Sequence, residues 1–231
     1  MPTSRHRAPL DRDAPQSRLS PPQPIPYHLA DLIRRGIIEG RYAAGQPLRE
    51  EALEAEYGAS RGPLREALRL LELSGLVTHV PRRGFRVRAF DPRTVEDLYR
   101  LRALLERYAV ECLAGRDLSV LVALLDESNS RMQAQFAARR IGAYLAENVT
   151  FHTLIIEASG NETLRRTLAG LNEMAEPLRY ALLARNFTKS RSVADHRRIA
   201  KLLRAGRLEG AAEATEAHIL TNLPRVLDIL A

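Results

Sequence analysis

Residues 58–88, GASRGPLREALRLLELSGLVTHVPRRGFRVR, constrain what this chain can fold into more than any other stretch. Ser60 is placed to cap a helix, its hydroxyl accepting from unpaired amides of the first turn. Pro63 falls inside that turn, where its missing N–H is tolerated. Beyond it Leu64, Ala67, Leu68 and Leu71 recur at helical spacing and predict one buried face. Arg61, Arg65 and Arg69 recur at four-residue intervals and form a stripe beside that face. A short helix apolar on one side and lined with guanidinium groups on the other suits the DNA major groove, where Arg reaches phosphates or pairs with guanine O6 and N7. A solvated charged face would account for the arginines by themselves, so the weight falls on the segment beyond Gly75.

After Gly75 the period changes from helical to alternating. Val77-Thr78-His79-Val80 and Phe85-Arg86-Val87-Arg88 predict two short strands joined by Pro81-Arg82-Arg83-Gly84. Phe85, Val87 and Ala89 point one way, Arg86 and Arg88 the other. Gly84 admits positive φ and close approach of backbone to a ligand. A basic hairpin beside a basic helix is the pattern of a winged helix, whose tip touches phosphates or the minor groove while the helix enters the major groove.

Charge agrees with this. Of the formal net charge of +7, residues 24–90 supply +3, from eleven Arg against eight acids, so the excess per residue is higher there than in the helical remainder. Residues 1–25 form a basic leader rich in Pro, Ser and Arg, expected to be disordered. It lacks the apolar core of a signal peptide, and no run of about eighteen apolar residues occurs elsewhere. The expectation is therefore a cytoplasmic protein. Cys112 lies alone on an apolar helix stripe and reads as a small buried hydrophobe.

The expected fold is mainly α. Residues 26–90 read as a winged helix-turn-helix, with helices over 27–39 and 50–57 before the one described, and with Gly45-Gln46-Pro47-Leu48 as a turn. Residues 91–93 read as a linker. Residues 94–231 read as an all-helical antiparallel bundle, with segments near 94–115, 118–138, 141–158, 161–185, 190–205 and 207–230.

The motifs Gly58-x-Ser60-Arg61-x-Pro63-Leu64-Arg65-Glu66-Ala67-Leu68, Gly75-Leu76-Val77 and Pro81-x-x-Gly84-x-x-Val87 resemble the winged helix of GntR-family transcription regulators. Downstream, Asp97-Leu98-Tyr99-x-x-Arg102-x-x-Leu105-Glu106, Phe151-His152, Ser159-Gly160-Asn161, Asp195-His196 and His218 resemble the FCD effector domain of the FadR-type branch. The resemblance implies a homodimeric, ligand-responsive regulator that is not an enzyme. It carries DNA contacts onto Ser60, Arg61, Gly62, Arg65, Arg83 and Gly84, with Arg49 and Arg69 as further candidates; relatives that place Arg where this chain has Glu51 leave contacts from that helix open.

A second site emerges from spacing. Asn148 and His152 share an inward face of segment 141–158 with Tyr144, Leu145 and Ile155. His196 lies on the stripe Val193, Ala200, Leu203, and His218 on the stripe Leu208, Ala211, Thr215, Asn222. Each alone reads as a hydrogen-bonded core histidine. Three on inner faces of three helices could converge on a divalent transition metal such as Zn or Ni, leaving an open position. Metal-binding FCD members usually carry Asp where this chain has Asn148, which would ligate through its carbonyl oxygen without bringing charge. Asp195 reads as an orienting partner or helix cap.

Arg102 lies on the buried stripe Val95, Leu98, Leu105, Ala109 and needs a partner. Glu106 one turn on is one; the carboxylate of a small acid effector is the other. The expected mechanism is a dimer reading a near-palindromic operator, repressing until a small carboxylate shifts the packing near 90–93. A metal-dependent, hydrolase-like enzyme with an attached DNA-binding module is the alternative, and a dimer whose histidines merely staple the bundle is a third reading.

Overall fold

The computed structural model describes residues 24–187 and 191–230, so most of the expected leader lies outside the described residues. Its last two members belong to the fold: Pro24 is the N-cap of helix α1 (Ile25–Ile38) and Ile25 its first residue. Strand β1 (Pro47–Leu48), α2 (Glu50–Tyr57), α3 (Arg61–Leu73), β2 (Val77–Val80) and β3 (Gly84–Val87) complete the first unit. Its core is one cluster including Ile33, Leu64, Leu68, Leu71, Leu76 and Phe85.

The winged helix departs from the sequence reading in two places. Pro47 and Leu48, expected in a turn, pair antiparallel with Arg86 and Phe85, giving the sheet order β1-β3-β2. A two-residue strand shows no alternation, and Pro is tolerated there because β1 is an edge. Ser60 holds the N-cap position of α3 but makes no side-chain capping bond. Such a hydroxyl accepts from the second or third residue of the helix, and here the third is Pro63, which has no N–H. Ser60 is exposed, with its hydroxyl left for another partner.

The second unit holds α4 (Pro92–Glu111), α5 (Ser119–Ala137), α6 (Ile141–Ala158), α7 (Glu162–Asn186), α8 (Ser192–Arg204), α9 (Leu208–Thr221) and α10 (Leu223–Leu230). Residues 91–93 are the start of a helix and not a free linker. The Asp91 carboxylate accepts from the Thr94 amide at 2.9 Å and from its hydroxyl at 2.7 Å, and Pro92 opens α4 with the fixed φ that suits a first turn. The span 207–230 is two helices, broken at Asn222, because Pro224 cannot donate to the preceding turn. One apolar cluster joins α4, α5, α6, α7, α8 and α9; a second, with Val95, Tyr99, Ala175, Leu178 and Val226, joins α4, α7, α9 and α10.

Helix α7 meets the winged helix directly. Glu173 pairs with Arg34 of α1 at 2.7 Å. Met174 lies against Gly75, which has φ +80° and where an added Cβ would stand 2.6 Å from the Met174 sulfur. Gly75→Ala is therefore expected to cost about 1–3 kcal/mol, from the left-handed backbone and the displaced Met174. Chemical unfolding of Gly75→Ala, alone and with Met174→Ala, checks this; the second change should recover part of the loss.

Candidate functional site

On the exposed face of α3, Arg61, Arg65 and Arg69 lie outside the core that holds Leu64, Leu68 and Leu71, with side chains 65%, 68% and 68% exposed. All three have carboxylate partners. Arg65 Nε meets Glu50 at 3.0 Å and Arg61 Nε meets Glu54 at 3.3 Å, while Arg61 Nη2 lies 3.9 Å from Glu51. Arg69 lies 3.9 Å from Glu72. Arg49, Gly62, Arg82 and Arg83 are exposed, and Gly84 turns the wing tip with φ +76°. Arg86 and Arg88, which the alternation put on the outer face of the wing, donate instead to the backbone carbonyls of Gly45 and Gly75. The candidate surface is thus the α3 stripe, the start of α2 and the wing tip, without the strand arginines.

Inside the second unit α6, α8 and α9 bring His152, His196 and His218 together, all buried, with one ring nitrogen of each within 4.8 Å of the others. His196 Nε2 lies 3.2 Å from His218 Nε2. His152 Nδ1 lies 2.6 Å from Glu106 Oε2, and His218 Nδ1 3.1 Å from Asp195 Oδ2. A carboxylate on Nδ1 places the proton there and turns the bare Nε2 the other way. His218 thus turns its Nε2 toward the other rings, and His196 is stacked on Phe151 at 3.9 Å between centroids. Asp195, one of whose expected roles was a helix cap, lies inside α8 and orients His218.

Burial pushes His152 and His196 below the usual imidazole range, and for His196 the other two rings push further. Burial alone would raise the Glu106 carboxyl, but His152 and Arg102 outweigh it and hold it at about 2. Three buried imidazoles, two of them with a carboxylate beside Nδ1, form a donor set that fits a divalent transition metal.

Asn148 does not fit as its fourth ligand. Its Nδ2 faces His196 Nε2 at 3.4 Å, and its Oδ1 accepts from Arg179 Nη1 at 3.4 Å. Flipping the amide would set its N–H groups against the guanidinium, so Arg179 turns the carbonyl oxygen away from the imidazoles. Arg102 is also committed: its Nη2 donates to Glu106 at 2.8 Å and its Nε to Asn172 Oδ1 at 2.8 Å. Of the two partners open to it in the sequence, the structure supplies Glu106.

The sequence reading missed Arg179 and Asn172. Both line up with Ala175 and Leu182 at helical spacing on α7, a signal present in the sequence but hidden by the many charges of that helix. Arg102, Asn148, His152, Arg179, His218 and Arg225 are among the residues around a cavity of about 60 Å³.

Comparison with known proteins matches residues 27–87 to bacterial regulatory proteins of the gntR family and residues 97–221 to the FCD domain. The chain is 30% identical over 193 residues to the Nta operon transcriptional regulator of Aminobacter aminovorans, covering 84% of this chain and 90% of that one. It is 26% identical over 211 residues to the transcriptional repressor GlaR of Escherichia coli, covering 86% and 94%. In fold it is similar to E. coli McbR/YncC, with a TM-score of 0.77 at 18% identity over 90% of this chain and 99% of that one.

The buried groups set a pH dependence. An unfolded chain takes up protons on His152 and His196 near their ordinary value of 6.5, which the folded chain resists. Their contribution is therefore intact above about pH 6.5 and falls as the pH drops below it. Glu106 acts in the same direction: its contribution is present above its unfolded value of 4.5 and is lost as the pH falls from there toward 2. The melting temperature, followed by circular dichroism, should decline steadily below about pH 6.5; an unchanged value down to pH 4.5 would contradict buried neutral imidazoles.

Proposed function

This chain belongs to the gntR family of bacterial regulatory proteins, with an FCD domain, and is a DNA-binding transcription regulator; we propose that it represses from a near-palindromic operator and lets go when a small acid enters the helical cavity. The observation that carries the DNA reading is the α3 face, where three exposed arginines stand over a buried apolar side next to a basic wing tip. The two curated relatives are regulators, and the metalloenzyme alternative falls with them. No helix among the described residues is long and apolar enough to cross a membrane, and the protein acts in the cytoplasm beside its operator.

In this reading Ser60, Arg61, Gly62, Arg65 and Arg69 face bases and phosphates of the major groove, with Arg49, Arg83 and Gly84 on the flanking backbone. The exposed pairs to Glu50, Glu54 and Glu72 are worth about 0–1 kcal/mol each, so phosphates displace them readily. Two copies read two half-sites. The exposed apolar stripe Leu101, Leu104 and Tyr108 on α4 favours a homodimer joined through that helix.

His152, His196 and His218 would hold a Zn- or Ni-like ion, which would add positive charge beside the cavity that receives the acid. Arg102 then serves as a structural cation that completes Glu106 and steadies Asn172. The shift passes through α7, not through residues 90–93. Asn172 is bonded on the pocket side and Glu173 and Met174 contact the winged helix, so a displacement of this turn reaches Arg34 and Gly75. A cleft of about 420 Å³, lined by Ile37, Phe90, Pro177 and Leu178 among others, leaves room for that movement. An effector drives it only by the difference in its affinity for the two arrangements.

Fluorescence anisotropy on the chain's own upstream intergenic DNA, against scrambled duplex and over several salt concentrations, tests the function. Arg65→Ala should weaken specific binding by about 1–3 kcal/mol and leave the dimer intact; undiminished operator affinity would overturn the assignment. For the metal, zinc at about a hundred times its Kd should stabilise the chain by about 2.7 kcal/mol, read as a rise in melting temperature that chelator reverses. His196→Ala with His218→Ala should abolish the rise, and an equal rise in that double variant would remove the site.

A further inference from the structure

We propose that the cavity is built for a short dicarboxylate, with one carboxylate on Arg179 of α7 and the other on Arg225 of α10. This rests on the reading of the helical cavity as the effector site and goes beyond it by naming the anchors and the charge of the effector. Three arginines line the cavity, Arg102, Arg179 and Arg225, and among the described residues no Asp or Glu lines it. Glu106 stands behind the wall and is already shared between Arg102 and His152. That leaves two guanidinium groups without a paired carboxylate among the described residues.

Arg179 is the more telling of the two. Among the described residues no carboxylate oxygen comes within ion-pairing distance of it. Its Nη2 donates to the Asn172 carbonyl at 3.2 Å, its Nη1 makes the long contact to Asn148, and its buried Nε has no partner. Burial, with Arg102 beside it, lowers its pKa to about 10. Glu176 and Glu106 act on it only from beyond ion-pairing distance, and a polar group left unsatisfied toward a cavity signals what the cavity receives. Arg225, on the first turn of α10, is exposed and makes no ion pair with a described residue. The two forks sit on different helices, one inside and one at the rim, so they suit two separated planar carboxylates better than one compact dianion such as phosphate.

Titration calorimetry of the full chain with succinate, malonate, propionate and inorganic phosphate tests this, with chelator and again with zinc. In both conditions succinate or malonate should bind at least tenfold tighter than propionate or phosphate. Arg225→Gln should erase that preference while keeping propionate binding, and Arg179→Gln should weaken all three acids at least tenfold. Circular dichroism should show Arg179→Gln folded, so that its lost acid binding is not lost structure. Equal binding of mono- and diacids, no binding of any acid, or Arg179→Gln binding like the parent would each overturn the proposal. Anisotropy on the same preparation keeps the two readings apart: an operator bound tightly and released by a neutral or singly charged compound would leave the regulator standing and remove the dicarboxylate.

Discussion

Glu106 has one carboxylate oxygen on Arg102 and the other on His152, and nearly everything in the helical half is arranged around that sharing. A carboxylate removed from water is tolerated only while its partners are complete, and losing one leaves the others uncompensated at a cost of about 3–5 kcal/mol. Arg102 passes the constraint on to Asn172 of α7, and His152 passes it to the other two imidazoles. One acid thus fixes the relative placement of α4, α6 and α7. It also decides which ring nitrogen His152 turns to the centre, so the same interaction that holds the bundle orients the candidate metal donors.

The winged helix solves a different electrostatic problem. An arginine stripe left bare would bind any duplex, since phosphate contacts carry affinity without sequence information. Here Glu50, Glu51 and Glu54 of α2 stand against Arg61 and Arg65. The pairs are exposed and weak, yet every duplex must displace them, so a site that also offers base contacts gains relative to one that offers only phosphates. Arg86 and Arg88 are withheld by backbone carbonyls, which confines the basic surface to α3, the start of α2 and the wing tip.

Much of this was legible in the sequence. The apolar face of α3, the two wing strands and the inward stripes of His152, His196 and His218 come from periodicity, because burial of a whole face leaves a repeating signature. What failed depended on partners distant in the chain. Leu48 joins a sheet only because Phe85 lies beside it. Ser60 loses its capping role more locally, through a proline three residues on. Asn148 looks like a ligand on its own helix, but the direction of its amide is set by Arg179, thirty-one residues away on another. Arg102 could have been free for a ligand until Glu106 and Asn172 claimed it.

Those distant partners converge on α7, which makes that helix the natural element for coupling the cavity to the winged helix. Pro177 removes one hydrogen bond from its interior, and Arg179 spends a donor on the Asn172 carbonyl one position before Glu173. The segment between them is therefore held partly by side chains that an incoming anion would recruit. On the reading proposed above, an anion drawing the Arg179 guanidinium would weaken its hold on Asn172 and Asn148 together. Glu173 and Met174, next along the same turn, are the residues that touch Arg34 and Gly75. Coupling of this kind needs no hinge at residues 91–93, where the Asp91 carboxylate pins the start of α4 through both the amide and the hydroxyl of Thr94.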